Sequence, residues 1–330
     1  MKKKKTLVII IAIIVVLIAG ICIWFFGFKN PHDKALSDYS ATVEEYNQKI
    51  PIYNDAVTQF NDAVQAVVDE NQKLEDAISA AQVVIDSGES PYDNATLSGL
   101  SDIISSAQSS KTPTPDSAEP LQEMDVTEDD KKSNTDELNK KTSDLNAQVQ
   151  ALEGDAQKLI DSIAEIAAKP DYTNTISEIQ AAQKTLEDSI AINKQIMNPS
   201  EDFVKNKLST ISSITEMQGV TEDNDPNGNL NKAGGYTSTV YFSVASIDQS
   251  QVYGDTLIDK GTDAGGSIEV YSTVEDAENR NTYLGAYDGS ILATGSHTVL
   301  GTIVIRTSDE LTASQQKELE SQIVVSFTTL

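Results

Sequence analysis

The chain has 330 residues, with 24 basic and 51 acidic side chains, a formal charge of −27 and one cysteine, Cys22. A single cysteine excludes an intrachain disulfide and a thiolate metal cluster. Setting aside Lys2, Lys3, Lys4 and Lys5 leaves 20 basic groups against 51 acidic ones, a field that makes nucleic acid and anionic lipid headgroups poor partners.

From Thr6 to Phe28 the sequence carries no charge over 23 residues, roughly 34 Å as a helix, which is long enough to span a bilayer. The preceding lysines place the N-terminus in the cytoplasm and the rest of the chain outside. The stretch is too long for a cleavable signal peptide and ends in Trp24, Phe25 and Phe26, which suit the membrane interface. Ile21, directly before Cys22, is too bulky for a lipoprotein acylation site. Residues 1–30 therefore read as cytoplasmic lysines and a single-pass anchor in the cell membrane.

Between Asp33 and Asp86, Tyr39, Val43, Tyr46, Ile50, Tyr53, Val57, Phe60, Val64, Val67, Asn71, Leu74, Ile78, Ala81 and Ile85 alternate in steps of four and three. That is the 3.5-residue period of a helix supercoiled against a partner. Asn71 falls on an a position and pins the register, while Pro51 predicts a bend without a break. Further heptads run from Leu138 to Ile166 and from Tyr172 to Met197, separated by Pro170. Three narrow seams predict an antiparallel coiled-coil or helical-bundle stalk over 31–197, which leaves room for a homo-oligomer through the stalk. The segment from about 109 to 130, with Pro113, Pro115 and Pro120, predicts a mobile loop.

A further helix is predicted from Asn198 to about Gln218, with Pro199 at its first position and Glu201 three residues past the cap. Twelve of the seventeen glycines lie from Gly219 onward, so a different fold begins there. Alternation predicts strands at 236–247, 267–271 and 298–306, and helices are predicted over 274–287 and 313–327, the last capped by Thr312 with Gln315. The order αββαβα predicts a small α+β domain over 198–330, with an antiparallel or mixed sheet covered by helices on one face. The whole chain is then α+β and mostly helical.

Asp223, Asp225, Asn227 and Gly228 match the opening of a calcium loop, with Asn229 able to add its carbonyl, but Gly234 stands where the bidentate acid belongs. Calcium binding and an Asx-rich turn are the two readings. Gly234 with Gly235, and Gly265 with Gly266, read either as ligand-admitting glycines or as positive-φ turns. Ser314 and Lys317 form an S-x-x-K pattern without the elements that accompany it in serine enzymes. His297 is the one histidine after membrane-proximal His32, too few for a zinc site or a triad, and reads as a structural hydrogen-bonding residue at a strand start.

The residues of 220–242, 258–284 and 295–320, including DPNG, GGYT and GSHT, resemble the C-terminal domain of uncharacterised membrane-anchored surface proteins of Gram-positive bacteria. Some of these carry an Ebh-like, extracellular-matrix-binding label. The resemblance covers about the last 130 residues and implies location and architecture more than chemistry. No sorting signal precedes Leu330, so covalent attachment to peptidoglycan is not expected. The expected function is a non-enzymatic surface protein, without a cofactor, whose stalk presents a domain to a protein or envelope partner. The alternative is an extracytoplasmic ligand-sensing or solute-binding module, with calcium as one candidate ligand.

Overall fold

The computed structural model describes residues 16–166, 170–290 and 295–330. The chain is mostly helical, with a small antiparallel sheet near its C-terminus. Among the described residues no helix is long and apolar enough to cross a membrane, and residues 6–15 of the expected span lie outside them. After a π-helical turn, Phe25–Lys29, helix α1 (Asn30–Asp86) runs 57 residues and continues through Pro51. The contacts divide the chain into two compact units, Met1–Glu75 with Ser110–Asn174, and Asp76–Ser109 with Thr175–Leu330. The second unit takes in helices α2 (Asn94–Ser110) and α4 (Thr173–Gln195) together with the sheet.

In the first unit, α1 packs with helix α3 (Thr135–Ile166) through Tyr39, Val43, Tyr46 and Ile50 against Leu138, Leu145, Val149 and Leu152. The two helices run parallel, which corrects the expected antiparallel bundle. His32 donates from Nε2 to the Ser133 carbonyl at 3.1 Å, Lys49 meets Glu153 at 3.1 Å, and the Tyr172 hydroxyl donates to Asn71 Oδ1 at 3.1 Å. Partner numbers therefore rise together along both chains.

The reason lies in the connection. Residues 111–127 form an extended strap laid along α1, not the expected mobile loop. Asn47, Asn54 and Asn61 each donate from Nδ2 to a strap carbonyl and accept from the N–H of the same strap residue. Met124 is bound at 2.7 and 2.8 Å, Leu121 at 2.9 and 2.8 Å, and Ala118 at 2.9 and 2.9 Å. Strap side chains Leu121, Met124 and Val126 pack on the α1/α3 core. Asn71 Nδ2 holds the Thr112 carbonyl at 2.9 Å, and the Thr112 N–H donates to the Tyr172 hydroxyl at 2.8 Å. At the other end the buried Asp130 carboxylate accepts from the Thr127 N–H, the Thr127 hydroxyl and Lys141. The Lys141 bond first, and then Thr127, holds the Asp130 carboxyl down to about 2. The chain thus returns along α1 from about Glu75 toward its start before α3 begins, and α3 begins beside the start of α1.

In the second unit, the Tyr92 N–H and Asp93 N–H bind the Ser189 carbonyl and hydroxyl at 3.0 and 2.8 Å, fixing the link between α1 and α2 onto α4. Next come helix α5 (Glu201–Leu208), strands β1 (Ile214–Gly219) and β2 (Tyr236–Val244), a single turn α6 (Leu257–Lys260) and strand β3 (Gly265–Tyr271). Helix α7 (Val274–Gly285), strands β4 (His297–Leu300) and β5 (Ile303–Thr307) and helix α8 (Ala313–Phe327) complete it. The sheet order is β1-β2-β3-β5-β4, with every neighbouring pair antiparallel.

Several boundaries differ from expectation. The helix predicted to reach Gln218 stops at Leu208, because the segment from β-branched Ile214 to Gly219 pairs with β2 as a strand. Its cap is Ser200, whose hydroxyl accepts from the Phe203 N–H at 3.2 Å, and not Asn198. The strand expected over 298–306 is a hairpin, broken where Gly301 takes φ +59 in a two-residue turn. That turn is held by Ile196, whose carbonyl accepts from the Thr302 N–H at 3.2 Å.

Helices cover both faces of the sheet, not one. Alternate residues of each strand point to opposite sides. On one side Val240, Phe242, Ile268, Ile303 and Ile305 pack against Val204 and Leu208 of α5 and Leu319, Ile323 and Phe327 of α8. On the other, Tyr241, Tyr271 and Val304 meet Leu257 and Ile258 of α6 and Ala277 and Leu284 of α7. The expected capping box of α8 forms, with Thr312 and Gln315 exchanging hydrogen bonds.

The parallel order of α1 and α3 is open to a direct check. Carbodiimide cross-linking of the full chain, read by peptide mass spectrometry, should join Lys49 of α1 to Glu153 of α3. An antiparallel pair would instead link the start of α1 to the end of α3.

Candidate functional site

The α7-facing side of the sheet is polar at its centre. Period two places Thr239 and Tyr241 of β2, Ser267 and Glu269 of β3, and Arg306 of β5 on this one face. Thr239, Ser267 and Glu269 are all 0% exposed. A carboxylate in such a place is costly unless it is paired and fully hydrogen-bonded.

Glu269 meets both conditions. Oε1 accepts from Arg280 Nη2 and from Arg306 Nη1, each at 3.0 Å, and Oε2 accepts from Arg280 Nε and from the Tyr271 hydroxyl, each at 2.8 Å. Burial pushes the Glu269 carboxyl up, but the Arg280 hydrogen bond and the charges of Arg280 and Arg306 outweigh it and hold the group below its ordinary value. The same burial, with the Glu269 charge beside it, raises the Tyr271 hydroxyl. With four donors on two oxygens, Glu269 has no lone pair turned toward a reactant, so the cluster fastens α7 to the sheet.

Next to it lies the turn that sequence reading marked for calcium. The Asp225 carboxylate accepts from the backbone N–H groups of Asn227, Asn229 and Leu230 at 3.0, 2.7 and 2.8 Å, and from the Tyr236 hydroxyl. Burial raises the Asp225 carboxyl, and these donors together bring it below its ordinary value. Asn227 turns its amide toward the Tyr236 and Tyr241 hydroxyls at 3.4 and 3.3 Å. Asp223 is exposed and stands outside this turn. Both Asp225 oxygens are taken by backbone amides and the Tyr236 hydroxyl, which gives the segment the geometry of an Asx-rich turn. Among the described residues, no three His, Cys, Asp or Glu side chains are grouped to hold a metal ion. The Tyr236 and Tyr271 rings meet edge to face at 6.2 Å and join the turn to the Glu269 cluster.

Gly234 takes φ +72, and a Cβ on Gly235 would collide with the backbone of Asn229. Both glycines shape the turn into β2. Gly265 and Gly266 are not a turn; they are the first paired residues of β3, where a Cβ on Gly265 would come within 2.7 Å of the Phe242 carbonyl and one on Gly266 would strike the Phe242 ring. His297 opens β4, with Nδ1 2.6 Å from Asn281 Oδ1 and Nε2 3.3 Å from Asp288 Oδ1. It ties β4 to α7 and the segment just after it. Ser314 and Lys317 are both exposed on α8.

Glu269, Tyr271, Arg280 and Arg306 escape sequence reading because Glu and Arg within alternating strands look like a solvated face. One signal marks them: the chain contains 22 lysines and only two arginines, Arg280 and Arg306. Arginine's planar fork suits a buried carboxylate, where lysine's single ammonium does not. Comparison with known proteins finds no family model, no curated protein and no solved structure that matches this chain.

Replacing Glu269 by Gln removes the buried carboxylate charge that Arg280 and Arg306 both bind and should cost about 3–5 kcal/mol, measured by urea unfolding followed through near-ultraviolet tyrosine circular dichroism. The pH dependence has a definite sign. The folded-state pKa values of Glu269 and Asp225 are depressed, so their contributions are full above their ordinary values of 4.5 and 3.8 and are lost as pH falls through the lower folded values. The sheet should therefore lose stability below about pH 4, and Glu269→Gln should flatten that loss.

Proposed function

We propose that this chain is a non-enzymatic, single-pass bacterial surface protein whose helical region carries the C-terminal α+β domain outside the cell to bind a protein or envelope partner. The observation that carries this reading is the N-terminal apolar run. Behind four lysines, Val16, Leu17, Ile18, Ile21, Ile23, Trp24 and Phe26 are each more than half exposed on a helical segment. Exposed apolar surface of that extent needs a cover, and a bilayer is the cover that the uncharged length from Thr6 to Phe28 fits. Lys29, 5.4 Å over the Trp24 ring, suits the headgroup boundary. The non-enzymatic part rests on the candidate groups themselves: the Glu269 and Asp225 oxygens and both nitrogens of His297 already face protein partners. The resemblance to Gram-positive surface proteins points the same way.

The test is protease treatment of intact cells that produce the full chain with a different tag at each end. The C-terminal tag should be removed, while the N-terminal tag stays protected in the membrane fraction. Recovery of the chain in the soluble fraction, or protection of both tags until lysis, would overturn the reading.

A further inference from the structure

Six of the hydrogen bonds between α1 and the strap are three copies of one unit. Asn47, Asn54 and Asn61 stand seven residues apart at successive e positions of the heptads, and their partners Met124, Leu121 and Ala118 stand three apart in the opposite direction. Seven helical residues advance about 10.5 Å. Three residues of an extended polyproline-type strand advance about 9.3 Å. The two periods nearly coincide, so one helix face meets the same peptide group again at each step.

Each asparagine reads both the N–H and the C=O of a single residue, and no side chain takes part. Such a row would by itself accept the strap in any register displaced by three. Two features remove the neighbouring registers. Displacement in one direction brings Pro115 opposite Asn61, and proline has no N–H to offer. Displacement in the other brings Thr127 opposite Asn47, but the Thr127 N–H is already bound to Asp130 Oδ2 at 2.8 Å.

We propose that Asn47, Asn54 and Asn61 form a backbone-reading site for an extended segment of three-residue period, that its occupant is the chain's own strap, and that Pro115 and the Asp130 to Thr127 bond are stops that leave one register. The register in turn sets where α3 begins on α1. This inference concerns the first unit alone and does not depend on where the protein resides.

The row also predicts where a fourth rung would fall. Val68 lies seven residues beyond Asn61 and is 37% exposed, and the same seven-to-three spacing assigns it to Pro115 on the strap. Amide hydrogen exchange in the full chain tests the proposal. In the parent, Ala118, Leu121 and Met124 should exchange slowly and Glu119, Gln122 and Glu123 quickly. Asn54→Ala should speed Leu121 exchange by about ten-fold, the worth of its hydrogen bond. The pair Val68→Asn with Pro115→Ala should create a protected amide at position 115 and raise Tm beyond the sum of the two single changes, which also removes the effect of losing a proline from the unfolded chain. Unchanged exchange at Leu121 in Asn54→Ala, or no coupling between the paired changes, would overturn the site.

Discussion

The sheet depends on one carboxylate. Glu269 lies on β3, the middle strand of five, and both arginines of the chain reach it, one from α7 and one from β5. An apolar residue there would bury more cheaply, since replacing buried ion clusters by well-packed apolar groups is often neutral or stabilising. What the carboxylate adds is position. Arg280 can satisfy Glu269 in only one placement of α7, and Tyr271 can donate to Oε2 only while its ring also stands against Tyr236. Tyr236 in turn closes the Asp225 turn. One buried charge thereby couples a helix, three strands and the loop before β2.

The first unit solves a different problem with neutral groups. Two heptad helices joined by a short loop would run antiparallel. Here the connection is long, acidic and rich in proline, and its three asparagine rungs hold it straight along α1. Helix α3 then starts level with the start of α1, and the apolar seams of both helices meet in parallel, with strap residues Leu121, Met124 and Val126 closing the third side. Asn71 serves as the register pin that its a position implies, although its partners are Thr112 of the strap and Tyr172, not a second helix.

These two units show what a pattern of residues can and cannot disclose. The heptads announce the long helix and its buried face, because burial repeats with the helical period. They say nothing of direction, since a seam read backwards is the same seam. Asn47, Asn54 and Asn61 sit beside that seam and look like ordinary solvated positions; only their repetition at seven, set against a proline-rich segment, hints at a shared partner. In the sheet, alternation locates β2 and β3 but cannot tell a wet face from a dry polar one. Gly301 and Thr302 were the hairpin signal within the stretch from His297 to Thr307, hidden by apolar residues on both sides. The positions of Asp225 in a turn and of His297 at a strand start were legible, whereas the Glu269 cluster needed contacts between residues 11 and 37 positions apart.

The charge of the chain explains why the strap is held by amides. The strap carries Asp116, Glu119, Glu123 and Asp125, and α1 beside it carries Glu44, Asp55, Asp62 and Asp69. Two acidic segments laid together repel, and exposed ion pairs such as Lys111 with Glu75 offset little of that. Reciprocal amide bonds carry no net charge, so neither screening by salt nor titration near neutral pH weakens them. The Glu269 cluster escapes the same exposure by burial. In this acidic chain the strap therefore rests on contacts that carry no net charge, and the sheet on charges withdrawn from water.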